Sequence, residues 1–450
     1  MHWDDIPVDT SAGPGYTVTE AQSYWHIVPA LNLRAGSEEE LTGENYGLHG
    51  DLISDIRLKK LLVRLTLDID TKYMDDPIYL WKKDRFAAGR IEEAYLHYNW
   101  KYGLFRFGRL KRNWGPYIDR SLLLSSNPHT YDAFEWSMHR SYFEFRHLFA
   151  YLNHAAGGMY ENIDGNAAYN KYFAAHALNF VIQDWATLGI MESILLTRTG
   201  FPDFQYVNPF SIYTVTNTNK EGSGNLMWGF HYKVHPFVKQ ITLLGQIIID
   251  DFQADNEIIA DKEPTHWGGD WSASWKNFLP LSLQHALSLN YRYKSKWLYT
   301  VHRSGARTGE RYLYLGKSLG QPEIDGDYAE ITATVLGNNY WMADAGLSFR
   351  RSDTNTIYTD WPAADSLNPV GTIGYRKETP LYERENVEKT IDLFVNLRGY
   401  FKGYVDIHLS LHNQWIQNEN NAATSGWEYN PIVGMMLSLH YSNLILKLPE

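Results

Sequence analysis

Strict two-residue alternation, sustained over arms long enough to cross a bilayer and carrying full charges on one face, leaves this chain few folds. From Leu61 onward, Leu61, Val63, Leu65, Leu67 and Ile69 share one face while Arg64, Thr66, Asp68 and Asp70 share the other. That is the period of a β-strand; a helix would mix the two sets. Ala94, Leu96, Tyr98 and Trp100 oppose Glu93, Tyr95, His97 and Asn99 in the same way, and Ile241, Leu243, Ile247 and Ile249 oppose Gln240, Thr242, Gln246 and Asp250. Near the C-terminus, Ile391, Leu393, Val395 and Leu397 oppose Asp392, Asn396 and Arg398. A turn at Lys402-Gly403 then leads to Val405, Ile407, Leu409 and Leu411 against Asp406, His408, Ser410, His412 and Gln414. Two matched arms around a tight turn predict a long hairpin.

Tight turns also fall at Lys59-Lys60, Lys101-Tyr102-Gly103 and Gly337-Asn338-Asn339. Long polar connections fall at Gly36–Asn45, Gly157–Asn170, Asn217–Gly224, Gln253–Glu263, Asp353–Asn386 and Asn418–Glu428. Short turns alternating with long loops is the connectivity of an outer-membrane barrel. The expected fold is therefore all-β: a closed antiparallel up-and-down transmembrane β-barrel of roughly 16–18 strands. It is expected as a single domain over residues 24–450, with residues 1–23 a short N-terminal extension. A soluble propeller or sandwich would use strands of about 5–6 residues and keep both outer faces polar. These arms run about 9–13 residues, and a soluble barrel core could not hold their charges unpaired. Tyr24-Trp25, Tyr98 with Trp100, Trp297 with Tyr299, and Tyr340-Trp341 sit near arm ends, where interfacial girdles form.

Composition narrows the functions. The chain has 450 residues, and 41 Lys+Arg against 52 Asp+Glu give 41 − 52 = −11, so no nucleic-acid partner is expected. There is no cysteine, which closes disulfide, thiolate-metal and thiol chemistry. No segment has the roughly 18–20 uninterrupted apolar residues of a membrane helix; the best, Leu178–Leu196, carries Asn179, Gln183, Asp184 and Glu192. The start, Met1-His2-Trp3-Asp4-Asp5, lacks a signal peptide's basic and apolar regions, which reads as a non-exported protein or as a mature chain with an initiator Met in front.

Several motifs imitate chemistry. Gly316-Lys317-Ser318-Leu319-Gly320 fits a nucleophile elbow, but Gln321-Pro322 follows where a helix would be needed. The same run is no phosphate loop, because Arg311 stands where the leading glycine belongs. The 17 histidines, His97, His231, His285, His408 and His412 among them, are scattered along polar strand faces. They read as lumen-facing groups, so no metal site and no cofactor are expected. Asp68 and Asp70 share a face and are the only carboxylate pair placed for acid–base work, whereas alternation puts Asp250 and Asp251 on opposite faces. Trp81, Trp114, Trp136, Trp267, Trp271, Trp275, Trp361 and Trp427 lie in or beside loop-like segments. Rings beside carboxylates, amides and arginines are what carbohydrate-binding surfaces use. An acidic polymer would also need local cations, and Arg109, Lys111 and Arg112 form the densest run.

Phe107-Gly108-Arg109-Leu110-Lys111-Arg112-Asn113-Trp114-Gly115-Pro116, followed by Ser121-Leu122-Leu123-Leu124-Ser125-Ser126-Asn127, resembles the signature of the capsule assembly protein Wzi family. Asn208-Pro209-Phe210, Ile249-Asp250-Asp251-Phe252-Gln253, and Tyr299 with His302 ahead of Ser318-Leu319-Gly320-Gln321-Pro322 continue the resemblance in the same order. It implies a bacterial outer-membrane barrel of about 18 strands that acts as a lectin-like anchor or assembly factor for capsular or exopolysaccharide, without catalysis. Gly108 and Gly115-Pro116 would then set tight bends, while Arg109 and Trp114 would face the polar interior or a loop platform. Carried over by motif, the candidate polysaccharide-binding residues are Arg109, Arg112, Trp114, Ser125, Asn127, Asp250, Asp251, Tyr299 and His302. Implied partners are capsular or extracellular polysaccharide, outer-membrane lipid and lipopolysaccharide, and the polysaccharide export machinery. Two departures from the family stand out: the end Leu448-Pro449-Glu450 has no terminal aromatic, and the stretch before Tyr24 is short for a helical plug. A porin or substrate-specific channel is the rival reading of the same charged lumen.

Overall fold

The computed structural model describes residues 24–36, 46–74, 79, 88–152, 170–198, 200–219, 224–236, 240–251, 266–301, 309–337, 340–359, 380–401, 405–424, 426–440 and 444–447. The expected N-terminal extension, residues 1–23, lies outside them. The strands are β1 (Tyr24–Gly36), β2 (Tyr46–Leu58), β3 (Leu61–Asp70), β4 (Ala88–Trp100), β5 (Gly103–Leu110), β6 (Tyr131–Arg140) and β7 (Phe143–Leu152). Next come β8 (Asn170–Ile182), β9 (Ala186–Arg198), β10 (Asn225–Val234), β11 (Ile241–Asp251), β12 (His266–Lys276) and β13 (Gln284–Lys294). A small hairpin, β14 (Leu313–Tyr314) and β15 (Lys317–Ser318), precedes β16 (Gly326–Gly337), β17 (Trp341–Ser352), β18 (Glu388–Phe401), β19 (Val405–Gln417), β20 (Glu428–His440) and β21 (Leu444–Lys447).

Apart from that hairpin, every strand joins one sheet and pairs antiparallel with its chain neighbours. β20 and β21 lie end to end against β1, forming a single stave that closes an 18-stranded barrel. Short turns occupy one end, as at Lys59-Lys60, and the long connections occupy the other. By the connectivity of such barrels the long-loop end is external.

Alternation sorts the wall as the sequence predicts. On β3, Val63, Leu65 and Ile69 are exposed while Arg64, Thr66, Asp68 and Asp70 are buried. On β18, Leu393, Val395 and Leu397 face outward, and on β19 Leu409 and Leu411 do while Ser410 is buried between them. A register shift opposite Thr66/Leu67 inserts one residue into β4, so both Glu92 and Glu93 reach the lumen, where they meet Arg90 at 2.8 Å and Arg64 at 4.0 Å. An outward Val395→Arg substitution near the middle of β18 should therefore cost about 2–4 kcal/mol of folding free energy in a bilayer. Urea titration in lipid vesicles reads this; a loss under about 0.5 kcal/mol would contradict the lipid-facing assignment.

An outward carboxylate near the middle of β9 breaks the pattern. Glu192 on β9 is covered by the β9–β10 connection, which carries α1 (Phe204–Val207) and α2 (Tyr213–Thr218) along the outer wall. Glu192 accepts hydrogen bonds from Tyr213 N (2.9 Å), Thr214 N (2.7 Å) and Thr214 Oγ1 (2.5 Å), with His176 Nε2 at 3.0 Å. These partners offset the cost of holding its charge away from water. Asn208-Pro209-Phe210 belongs to this strap, and the Phe210 ring stacks on Phe145 at 5.6 Å.

Candidate functional site

The largest buried apolar cluster lies inside the barrel, where two external connections fold into the lumen and pack on the walls of β6–β11. The first is 111–130, between β5 and β6. At its root Gly108 has φ +122°, and a Cβ there would stand 2.3 Å from the Ala94 carbonyl oxygen, so only glycine fits. Arg112 then turns inward and donates to the carbonyls of Gly108 (3.0 Å), Leu110 (3.1 Å) and Tyr131 (2.9 Å), with its guanidinium 4.9 Å from the Tyr131 ring. Burial lowers its pKa from the ordinary arginine value, against the fields of Tyr131 and Glu135. Trp114 N donates to Leu124 O at 2.8 Å, closing a loop whose apex, Leu122-Leu123-Leu124, is fully buried.

The second connection, 295–325, meets the first across the lumen. Tyr299 Oη donates to Leu122 O, and Tyr312 Oη donates to Leu123 O at 2.7 Å. The two rings stack at 5.4 Å. Burial pushes both hydroxyls far above the usual tyrosine range, so both stay protonated donors. Ser125 N donates to Leu319 O at 2.8 Å, Ser125 Oγ to Gly320 O at 2.5 Å, and Asn127 Nδ2 to Ser318 O at 2.9 Å. The wall holds the assembly as well. Gln246 Oε1 accepts Leu122 N at 2.7 Å, Lys171 Nζ donates to Arg311 O at 3.1 Å, and Asn225 Nδ2 donates to Glu310 O at 3.1 Å. The two connections form a plug whose backbone is satisfied by its own halves and by the barrel.

The residues singled out from sequence distribute as follows. Arg112, Trp114, Ser125, Asn127 and Tyr299 belong to the plug, and Asp250 Oδ2 anchors it by accepting Tyr299 N at 2.7 Å. Arg109 sits at the rim, paired with Asp132 at 2.9 Å. The Asp251 side chain and His302 lie outside the described residues. Trp114 is only 2% exposed, a plug residue facing the short-turn side. Ser318 is fully buried, lies in a hairpin with no helix behind it, and its Oγ accepts Gly320 N at 3.1 Å. Gln246, Lys171, Tyr312 and Asp270 escape sequence reading as site residues because nothing local distinguishes them from other polar or aromatic positions.

Cavities remain on both sides of the plug. One of about 510 Å³ at the short-turn end is bordered by Trp114, Glu144, Arg146, His231 and Lys233. Two open externally. The first, about 550 Å³, is lined by Asp51, Asp68, Glu92, Arg90 and His49. Within it His49, Asp51 and Asp68 bring one potential ligand atom each within 4.8 Å of the others. Those carboxylates already have partners: His49 Nε2 stands 3.0 Å from Asp68 and 3.4 Å from Asp51, and Tyr73 Oη donates to Asp68 Oδ2 at 2.5 Å. This grouping is of metal-ligand type, and its three side chains also contact one another directly. The second external cavity, about 450 Å³, lies between the plug and β13, β16 and β17. Ser125 and Asn127 border it, Tyr328 supplies an aromatic face with Arg292 4.3 Å from its centroid, and Gln321 donates to Arg120 O at 2.7 Å beneath it.

Among known proteins, the family model described as capsule assembly protein Wzi matches residues 56–276. No match to a curated protein is found by sequence. Among solved structures, Wzi of Escherichia coli, an outer-membrane protein involved in group 1 capsule assembly and described as a carbohydrate-binding β-barrel, superposes with TM-score 0.60 at 11% identity, covering 94% of this chain and 85% of that one. OccD3 of Pseudomonas aeruginosa gives 0.48 at 11% identity, with 95% and 93% covered. OccAB1 of Acinetobacter baumannii gives 0.49 at 7% identity, with 93% and 96% covered. The closed barrel with its apolar outer face is that of a bacterial outer-membrane protein. Over residues 56–276 the chain matches the capsule assembly protein Wzi family model, and over nearly its whole length it shares the closed-barrel fold of the Escherichia coli protein.

Proposed function

We propose that this barrel holds capsular or extracellular polysaccharide non-covalently at the cell surface, using the external mouth above its plug. The observation that carries the reading is the plug itself: its two halves and the wall are joined by direct hydrogen bonds across the lumen. A lumen filled in this way serves attachment better than passage, and the charged, tyrosine-bearing cavities left on the outer side have the donors and ring faces that sugars use. In this reading the motif residues Arg112, Trp114, Tyr299 and Asp250 build the platform, while Ser125 and Asn127 reach the cavity that meets the glycan. Arg109 contributes from the rim, and Asp251 and His302 remain motif-based candidates. The protein acts without catalysis, beside lipopolysaccharide and the export machinery that delivers the polymer. A channel is the competing reading. Purified, folded protein should bind the host's own surface polysaccharide saturably and show almost no conductance in a planar bilayer. Steady conductance without glycan binding would reject attachment in favour of transport.

A further inference from the structure

The second external cavity is positive in an acidic protein. Its lining carries Arg120, Arg292, Lys294, Arg350 and Arg351 against Asp119, Glu323 and Asp327, so 5 − 3 = +2, whereas the whole chain is −11. Most of these cations are taken. Arg351 grips Asp327 through Nε (2.9 Å) and Nη2 (2.5 Å), and Arg350 bridges Glu388 (3.0 Å) and Glu323 (3.3 Å). Arg120 donates to Asn290 Oδ1 at 2.8 Å and shares buried Asp270 with Arg292, at 3.6 and 3.9 Å.

Two groups are left over. Lys294 is 7% exposed, lines the cavity, and makes no hydrogen bond or ion pair among the described residues. The carboxylates whose fields reach it are Glu323 and Asp270, both already shared with arginines. Arg292 Nε, 3.9 Å from Asp270, is buried and makes no hydrogen bond. A buried ammonium without a partner is costly unless something fills its shell. Beside it, the Tyr328 ring offers a face for the apolar side of a pyranose. The cavity, about 450 Å³, falls within the ~300–1,000 Å³ typical of small-ligand sites.

Resting on the attachment reading above, we infer that this cavity takes the carboxylate of an acidic sugar residue, a uronate or equivalent acid, onto Lys294 with the sugar ring against Tyr328. A charge-assisted contact of this kind selects acidic over neutral polymers of the same shape.

The test compares the host's surface polysaccharide with the same polymer after its carboxyl groups are reduced to hydroxymethyl groups, using the full folded barrel and Lys294→Gln. The native protein should bind the native polymer about tenfold or more tightly than the reduced one. The K294Q barrel should bind the two alike, because the contact removed from either side is the same one. Equal binding of both polymers by the native protein, a host polymer without acid groups, or an undiminished preference in K294Q would overturn the inference while leaving attachment intact. Failure of the native protein to bind either polymer would overturn the attachment reading itself. Should K294Q not fold, the comparison of the two polymers on the native protein still decides.

Discussion

Replacing residues 297–323 with a short Gly-Ser linker should turn a nearly silent barrel into a conducting one, raising conductance roughly tenfold or more, since 16–18-stranded barrels without a plug enclose an aqueous channel. The excised segment carries Tyr299, Tyr312, Leu313 and Leu319, which cap the Leu122–Leu124 apex from the far side. The remaining half, 111–130, keeps the bonds of Arg112 to the flanking strands and the bond of Leu122 to Gln246 but spans only part of the lumen. A milder version, Tyr299→Phe with Tyr312→Phe, strands two buried carbonyls at about 1–3 kcal/mol each and should give brief openings rather than a steady current. The readout is single-channel recording on protein whose heat-modifiable mobility shows a closed barrel. A folded but silent deletion variant would mean that the barrier lies in some other segment.

The barrel was legible because each stave obeys a local rule. On β3 and β18 the identity of one residue predicts the direction of the next, since lipid on one side and water on the other impose period two. The alternation of short turns with long loops was likewise visible along the chain. The plug obeys no such rule. Leu122-Leu123-Leu124 is an apolar run without periodicity, and its partners Tyr299 and Tyr312 lie 177 and 189 residues away. Those contacts can be read only once the loops are folded. The family motifs marked both halves of the plug without showing that they touch, and Trp114, read as a possible sugar platform, is packed between plug and wall. Glu192 is the instructive exception in the wall. Alternation places it outward, against its chemistry, and the explanation is a strap that sequence shows only as a loop.

Arg112→Met should destabilise the folded barrel by about 3–5 kcal/mol, the usual cost of removing one partner from a buried charged network. The guanidinium supplies donors to three carbonyls, those of Gly108, Leu110 and Tyr131, and its Nε stands 3.6 Å from Glu135 Oε2. Methionine approximates its volume and leaves all three acceptors bare. It also leaves Glu135 without its nearest cation, held by Arg106 at 3.7 Å, the field of Arg146 and a hydrogen bond from Trp114. Arg112→Lys should recover little, because one ammonium cannot reproduce a planar fork aimed at separate carbonyls. Combining Arg112→Met with Glu135→Gln should cost less than the sum of the two single changes, since the second removes the charge that the first left uncompensated. Urea unfolding in detergent micelles measures all three variants. A loss below about 1 kcal/mol in Arg112→Met would show that the plug's root is held by the Leu122–Leu124 packing rather than by this network; a full loss with strict additivity would separate the carbonyl contacts from Glu135 and assign the cost to the backbone alone.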